Sequence, residues 1–124
     1  MKKIESVLLI DDDNIANFLH TRVMQLSGVT NIKTALNGRE ALVLLSDFKP
    51  SLMLVDINMP VMDGFQFIEE IQKQNLDQNI LVAILSSSSK QADIDKANSL
   101  NVAFIEKPLD MEKVNSLIAN MDEN

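Results

Sequence analysis

The segment Ser6-Val7-Leu8-Leu9-Ile10-Asp11-Asp12-Asp13-Asn14 changes character twice within a short span. An unbroken apolar run from Val7 to Ile10 stops at consecutive aspartates. A strand that is apolar on both faces belongs inside a parallel sheet covered on both sides, since a half-exposed strand would alternate. From Asn14 the period lengthens. Ile15, Phe18, Leu19, Val23 and Leu26 recur at helical spacing, and Ser27-Gly28 supplies a stop. On this reading those apolar residues face the core. His20 falls off their stripe and points to solvent, neither a ligand nor a phosphorylated histidine.

The alternation continues along the chain. Asn31 to Ala35 reads as a shorter strand, and Asn37 with Glu40 as a capping-box-like start to a second helix that ends near Ser46. Leu52 to Val55 is a third strand ending in Asp56. Pro60 and Asp63-Gly64 then force a loop before a helix carrying Phe65, Phe67, Ile68 and Ile71. Ile80 to Leu85 is a strongly apolar fourth strand that runs into serines, followed by a helix over 93–100. Val102 to Ile105 is a fifth strand, closed by Lys107-Pro108, and Met111 to Met121 is a last amphipathic helix. X-Pro after a strand can be cis.

Strand–helix units in this order predict an α/β fold, a doubly wound five-stranded parallel sheet, as a single domain over residues 1–124. There is no linker, repeat or low-complexity tract. Right-handed crossovers place the strand C-terminal ends on one edge, where such folds bind ligands.

Composition narrows the function. The 124 residues suffice for one core, and a mean hydropathy of +0.04 suits a soluble globular protein. No apolar run is long enough to span a bilayer, and the start lacks a signal-peptide pattern. Without cysteine there are no disulfides or thiolate metal sites, and a cytoplasmic location is the simplest expectation. A net charge of −7, with 11 scattered basic residues and no Trp or Tyr, argues against direct nucleic-acid binding.

The expected edge collects the unusual polar groups: Asp11, Asp12 and Asp13 after the first strand, Asp56 after the third, Ser86 after the fourth, Lys107 after the fifth. Crowded carboxylates repel, so they need a cation or partial protonation. Oxygen ligands without His or Cys select a hard ion, best magnesium (Mg2+), which leaves positions open for phosphate oxygens. A carboxylate nucleophile, this ion, a lysine and a hydroxyl are the parts needed to stabilise a transferring phosphoryl group. Singly each has a plainer reading. Asp13 is expected only to cap a helix, Ser86 to Ser89 could be a polar loop, and Lys107 a surface lysine. Asn37-Gly38 and Asp63-Gly64 are expected as turn formers only. The joint spacing carries the argument.

Val7 to Asp13, Leu54 to Gly64, Ile84 to Ser87 and Phe104 to Pro108 closely resemble the response-regulator receiver family of two-component signalling, in order and spacing across essentially the whole chain. Stand-alone chemotaxis-type regulators are the nearest type. The resemblance implies strand order 2-1-3-4-5 with two helices on one face and three on the other. It implies Asp56 as phosphoryl acceptor, Asp12 as direct magnesium ligand, Asp11 acting through water, and Asn58 offering its backbone carbonyl. Lys107 would pair with the phosphoryl group, Ser86 would follow it, and Phe104 would be the aromatic that turns inward. The implied partners are a sensor histidine kinase or histidine phosphotransfer protein, and a protein target reading the surface of helix four, strand five and helix five. Some positions depart from the pattern. Ser86 stands where Thr is commoner, Ser87 where Ala is usual, and Phe104 lacks the hydroxyl of the frequent Tyr. Leu100-Asn101 replaces a Gly-Ala, so Asn101 is expected to supply the left-handed helix stop. Alternatives are a haloacid dehalogenase-like phosphatase, from the Asp-x-Asp form of Asp11 to Asp13, and a pseudo-receiver that binds without phosphorylation. Flavodoxin-like nucleotide binding lacks a Gly-rich phosphate loop.

Overall fold

The computed structural model describes residues 4–122. Strands and helices alternate as β1 (Ser6–Ile10), α1 (Asn14–Leu26), β2 (Asn31–Ala35), α2 (Gly38–Leu44), β3 (Leu52–Val55), α3 (Gly64–Lys73), β4 (Leu81–Ser86), α4 (Gln91–Ser99), β5 (Ala103–Glu106) and α5 (Met111–Asp122). All strand pairs are parallel, in the order β2-β1-β3-β4-β5. The doubly wound sheet expected from the sequence is therefore the one found.

The pleat divides the apolar strands between two cores. Leu8, Ile10, Met53, Val55 and Ile84 pack against Ala41 and Leu45, the α3 residues Phe67, Ile68 and Ile71, and Ala97 of α4. Val7, Leu9, Leu52, Leu54, Ala83 and Leu85 pack on the other side against Met24 of α1 and Val114 and Leu117 of α5. Every residue of β1 and β3 is buried, which is why their sequences do not alternate. At the edge, β2 exposes Lys33, a charge that discourages pairing with another sheet.

Local chemistry sets the helix ends. Asp13 accepts from the Ile15 amide at 2.9 Å and caps α1, as expected. Asn37 caps α2 by accepting from the Glu40 amide, while Glu40 accepts from Leu36 N, one residue before the cap. Asp63 proves to be more than a turn former: with Gln66 it completes a reciprocal capping box on α3. α4 starts and ends slightly earlier than its sequence suggested, at Gln91–Ser99. Asn101 adopts φ 60° beyond it, and Val102 N donates back to Ala97 O at 3.1 Å, so Asn101 does the work usually given to glycine.

α1 has the expected period, but of its apolar stripe only Val23 packs, partly buried, against the core, and the other members face away from it. Ile15, Phe18, Leu19 and Leu26 are 70, 63, 55 and 67% exposed. The face turned inward carries Asn17, His20 and Met24. His20 is thus buried, only 8% exposed, and the solvent-facing position expected for it is wrong. Polar anchoring outweighs the apolar stripe: the Asn17 amide, which donates to Asp11 O at 2.9 Å and to Ala35 O at 3.4 Å, ties this face of the helix to the ends of β1 and β2.

Val61, in the β3–α3 connection, has φ 69° and is 74% exposed. A β-branched residue in the left-handed region is strained by about 1–2 kcal/mol, and no buried contact of its own side chain offsets this. Val61→Asn should therefore stabilise the fold by about 1 kcal/mol, since Asn tolerates this conformation. Urea unfolding checks it, and an unchanged or lower midpoint would show that the strain is absent.

Candidate functional site

The parallel strands bring their C-terminal ends to one edge, and two backbone hydrogen bonds extend the ladder beyond it. Asp11 N donates to Ala35 O at 3.0 Å, and Asp56 N donates to Ile10 O at 2.9 Å. These bonds hold Asp11 and Asp56 side by side on neighbouring strands. Asp11, Asp12 and Asp56 each place a carboxylate oxygen within 4.8 Å of the others. Lys107 arrives from the end of β5. Its Nζ lies 2.7 Å from Asp11 Oδ2 and 3.8 Å from Asp56 Oδ1, and its amide donates to Ser86 O at 2.8 Å. The Lys107–Pro108 peptide is cis. Asp11 is held once more, since its Oδ1 accepts from the Asp13 amide at 3.0 Å.

The electrostatics follow from this crowding. Burial, then the charge of Asp11 and more weakly that of Asp12, push the Asp56 carboxyl up to about 6, against the opposing pull of Lys107 and the Ile57 amide. For Lys107, burial alone would lower the pKa. The Asp11 bond and the charges of Asp56, Asp11 and Asp13 outweigh it, and the ammonium is held above its ordinary value. His20 is lowered, first by burial and then by Lys107, with Asp11 and Asp13 opposing. One lysine facing three carboxylates leaves a negative pocket whose donors are all oxygen. Such a donor set fits a hard divalent cation and gives no preference to a thiophilic one.

The other sequence candidates take their places around this cluster. Ser86 ends β4, beside β3, with 1% exposure. Its oxygen accepts from the Ser88 amide at 3.0 Å, which leaves the O–H as a donor. Ser88 in turn donates to Asp93 Oδ2 at 2.8 Å, tying the β4–α4 loop to α4. Asn58 lies in the β3–α3 connection with an exposed side chain. Phe104 pairs in register with Ile84 and packs, partly buried, against the core on the α2–α4 side of the sheet.

Two features beside the acids were missed in the sequence. Gly64 was expected as a turn former only, yet a Cβ there would lie 2.2 Å from the Asp56 carbonyl oxygen. Its amide donates to Ile57 O at 2.9 Å, so the start of α3 is pressed against the backbone of Asp56. Asn17 was not singled out at all. The available signal was its spacing to Met24, which places both on one helix face.

Comparisons with known proteins bear on the family and the fold. Residues 7–119 match the family model described as the response regulator receiver domain. A probable C4-dicarboxylate response regulator of Bacillus subtilis is 31% identical over 114 residues, which cover 91% of this chain and 50% of that protein. The chain spans about half the length of the first such curated relatives it matches. Among solved structures, a two-component response regulator from Cytophaga hutchinsonii superposes with a TM-score of 0.90 at 33% identity, covering 99% of this chain and 100% of that one. The CheX–CheY–BeF3–Mg complex from Borrelia burgdorferi gives a TM-score of 0.84 at 27% identity, covering 95% of this chain and 89% of that one. Among the described residues no helix is long and apolar enough to cross a membrane. A parallel sheet in the order 2-1-3-4-5, an acidic cluster with its lysine at one edge, and a family match over nearly the whole length lead to one assignment: the chain belongs to the response regulator receiver family.

Proposed function

We propose that residues 1–124 act as a single receiver domain in the cytoplasm. It accepts a phosphoryl group on Asp56 from a sensor histidine kinase or a histidine phosphotransfer protein and then alters its α4–β5–α5 surface. The observation that carries this reading is the placement of Asp56 between the Asp11–Asp12 carboxylates and the Lys107 ammonium. A carboxylate oxygen of Asp56 would attack phosphorus as the phosphorus–nitrogen bond of the donor breaks, and the imidazole would leave with the bonding pair. With its pKa near 6, Asp56 is mostly ionised at neutral pH and able to attack. Lys107 would move from Asp11 toward a phosphoryl oxygen, and the Ser86 hydroxyl would donate to another. Asp12, Asp56, the Asn58 carbonyl and, through water, Asp11 would hold magnesium, which when bound supplies the charge that the carboxylates and phosphoryl oxygens need.

A small phosphodonor with Mg2+ should add one phosphoryl group, mapped to Asp56. Asp12→Ala should weaken Mg2+ binding at least tenfold in a calorimetric titration and slow the transfer with it. Phosphate found on Asp11, Asp13 or a serine would overturn the assignment, and so would an unchanged affinity in the variant.

Input and output should separate on different faces. The exposed apolar face of α1 begins at the rim of the acid cluster, where a protein donor has to approach. Leu19→Glu should therefore slow transfer from a protein donor by tenfold or more and leave the small phosphodonor unaffected. Phe104→Ala should do the reverse of this at the output: phosphate is accepted at the normal rate, but most of the phosphorylation-dependent gain in target affinity is lost. A Leu19→Glu chain equally slow with both donors, or a Phe104→Ala chain with the full gain, would show that these faces are not used in this way.

A further inference from the structure

The inward face of α1 carries an amide that this role leaves unexplained. Asn17 is 4% exposed, and its Nδ2 donates to Asp11 O at 2.9 Å and to Ala35 O at 3.4 Å. The Ala35 oxygen also accepts from Asp11 N, so one side chain joins the ends of β1 and β2 just beneath the acid cluster. The orientation of the amide is set by these acceptors. The flipped form would turn its oxygen against two carbonyl oxygens and leave the amino group without acceptors. The consequence is that Asn17 Oδ1 is buried without a partner among the described residues. An unpaired buried acceptor costs about 1–3 kcal/mol, and Asn is a poorer helix former than Leu. For packing alone, Leu would serve better at this position. What Leu lacks is the donor for the Asp11 carbonyl.

That carbonyl belongs to the peptide linking Asp11 to Asp12. Fixing its plane fixes the direction in which the Asp12 carboxylate leaves the backbone. Asp11 needs this less, because its own side chain is already held by the Asp13 amide and Lys107. Asp12 is exposed, and no hydrogen bond among the described residues restrains its carboxylate. We propose that Asn17 is a positioning residue for the cation-assisted site: it clamps the Asp11–Asp12 peptide and so aims Asp12 at the space shared with Asp11 and Asp56. This rests on the reading of the acid cluster as a divalent-cation site. An element outside the acidic motif thereby controls cation affinity without touching the ion.

The test uses Mg2+ alone, titrated into the full chain and followed by backbone amide shifts of Asp12 and Asp56. Asn17→Leu keeps the number and branching of the side-chain heavy atoms and removes the donor. It should weaken Mg2+ binding about tenfold at a temperature where the chain is folded. Met24→Val, farther along the same buried face, lowers stability without reaching the clamp and should bind Mg2+ as the wild type does. Equal affinity in wild type and Asn17→Leu would reduce Asn17 to a structural tie and overturn the proposal. A matching loss in Met24→Val would do the same. If Asn17→Leu does not fold, the wild type decides. Its Asn17 side-chain amide resonance should shift on Mg2+ addition, and a stationary resonance overturns the clamp. A wild-type chain that binds no Mg2+ would instead reject the cation site itself, and the clamp with it.

Discussion

Asp56→Asn should abolish phosphoryl incorporation completely and, without divalent cations, make the protein more stable at neutral pH. The first effect follows from losing the carboxylate that, among the described residues, lies within reach of Lys107 without being hydrogen-bonded to it. The second follows from the raised pKa. Folded Asp56 titrates near 6, whereas its ordinary value is 3.8. Between these values the folded chain holds a proton that the unfolded chain has released, so stability falls as pH rises through this window. Above it, an ionised Asp56 weighs against folding. The full shift corresponds to about 3 kcal/mol, and the open mouth of the site reduces this by solvent screening to about 1–2 kcal/mol. Asn carries no charge at any pH. The variant should therefore gain about 1–2 kcal/mol at pH 7.5 and nothing below pH 4. Magnesium should shrink the difference at pH 7.5 by stabilising the wild type alone. Urea unfolding across this pH range, with and without Mg2+, reads all of this. An Asn variant whose advantage persists at acid pH would show that crowded charge is not the cause.

Gly64→Ala should damage both stability and transfer. A Cβ at Gly64 would lie 2.2 Å from the Asp56 carbonyl oxygen and 3.0 Å from Ile57 Cα, so backbone must yield, not a mobile side chain. Overpacking of this kind costs about 2–3 kcal/mol. Moving the Asp56 backbone also turns its carboxylate away from Lys107 and Asp12, and displacements near 1 Å can slow a positioned reaction by about a hundredfold. Gly28→Ala separates the two effects. Gly28 has φ 94° but open space around its Cβ position, so alanine there is strained without touching the site. It should cost about 1 kcal/mol and leave the phosphorylation rate unchanged. Parallel unfolding curves and phosphorylation rates distinguish the cases. A Gly64→Ala chain phosphorylated at the wild-type rate would mean that the close approach does not hold Asp56 in place.

Residues that declare themselves through local pattern were legible from the sequence. The fully apolar strands β1 and β3, the acids that follow them and the Lys107-Pro108 break pointed to a parallel sheet and to the edge where its polar groups gather, because strand period and turn chemistry act over a few residues, whereas the choice of Asp56 among the carboxylates came from the family resemblance. Asn101 as a helix stop was legible for the same reason, from the absence of glycine before β5. The phase of α1 was not. Its apolar stripe has helical spacing, and spacing says that one face differs from another without saying which face is buried. The inward turn of Asn17 shows in its bonds to the Asp11 carbonyl and to the carbonyl of Ala35, and the second of these lies on another strand that only tertiary folding brings near. Gly64 was opaque for a related reason: its Cβ is excluded by a carbonyl eight residues earlier, a contact made when α3 packs back onto the end of β3. The sequence by itself determined which groups sit at the sheet edge, since each follows directly on its own strand. Only the tertiary structure decided how they are aimed, because aim depends on backbone and amide contacts between segments that are distant along the chain.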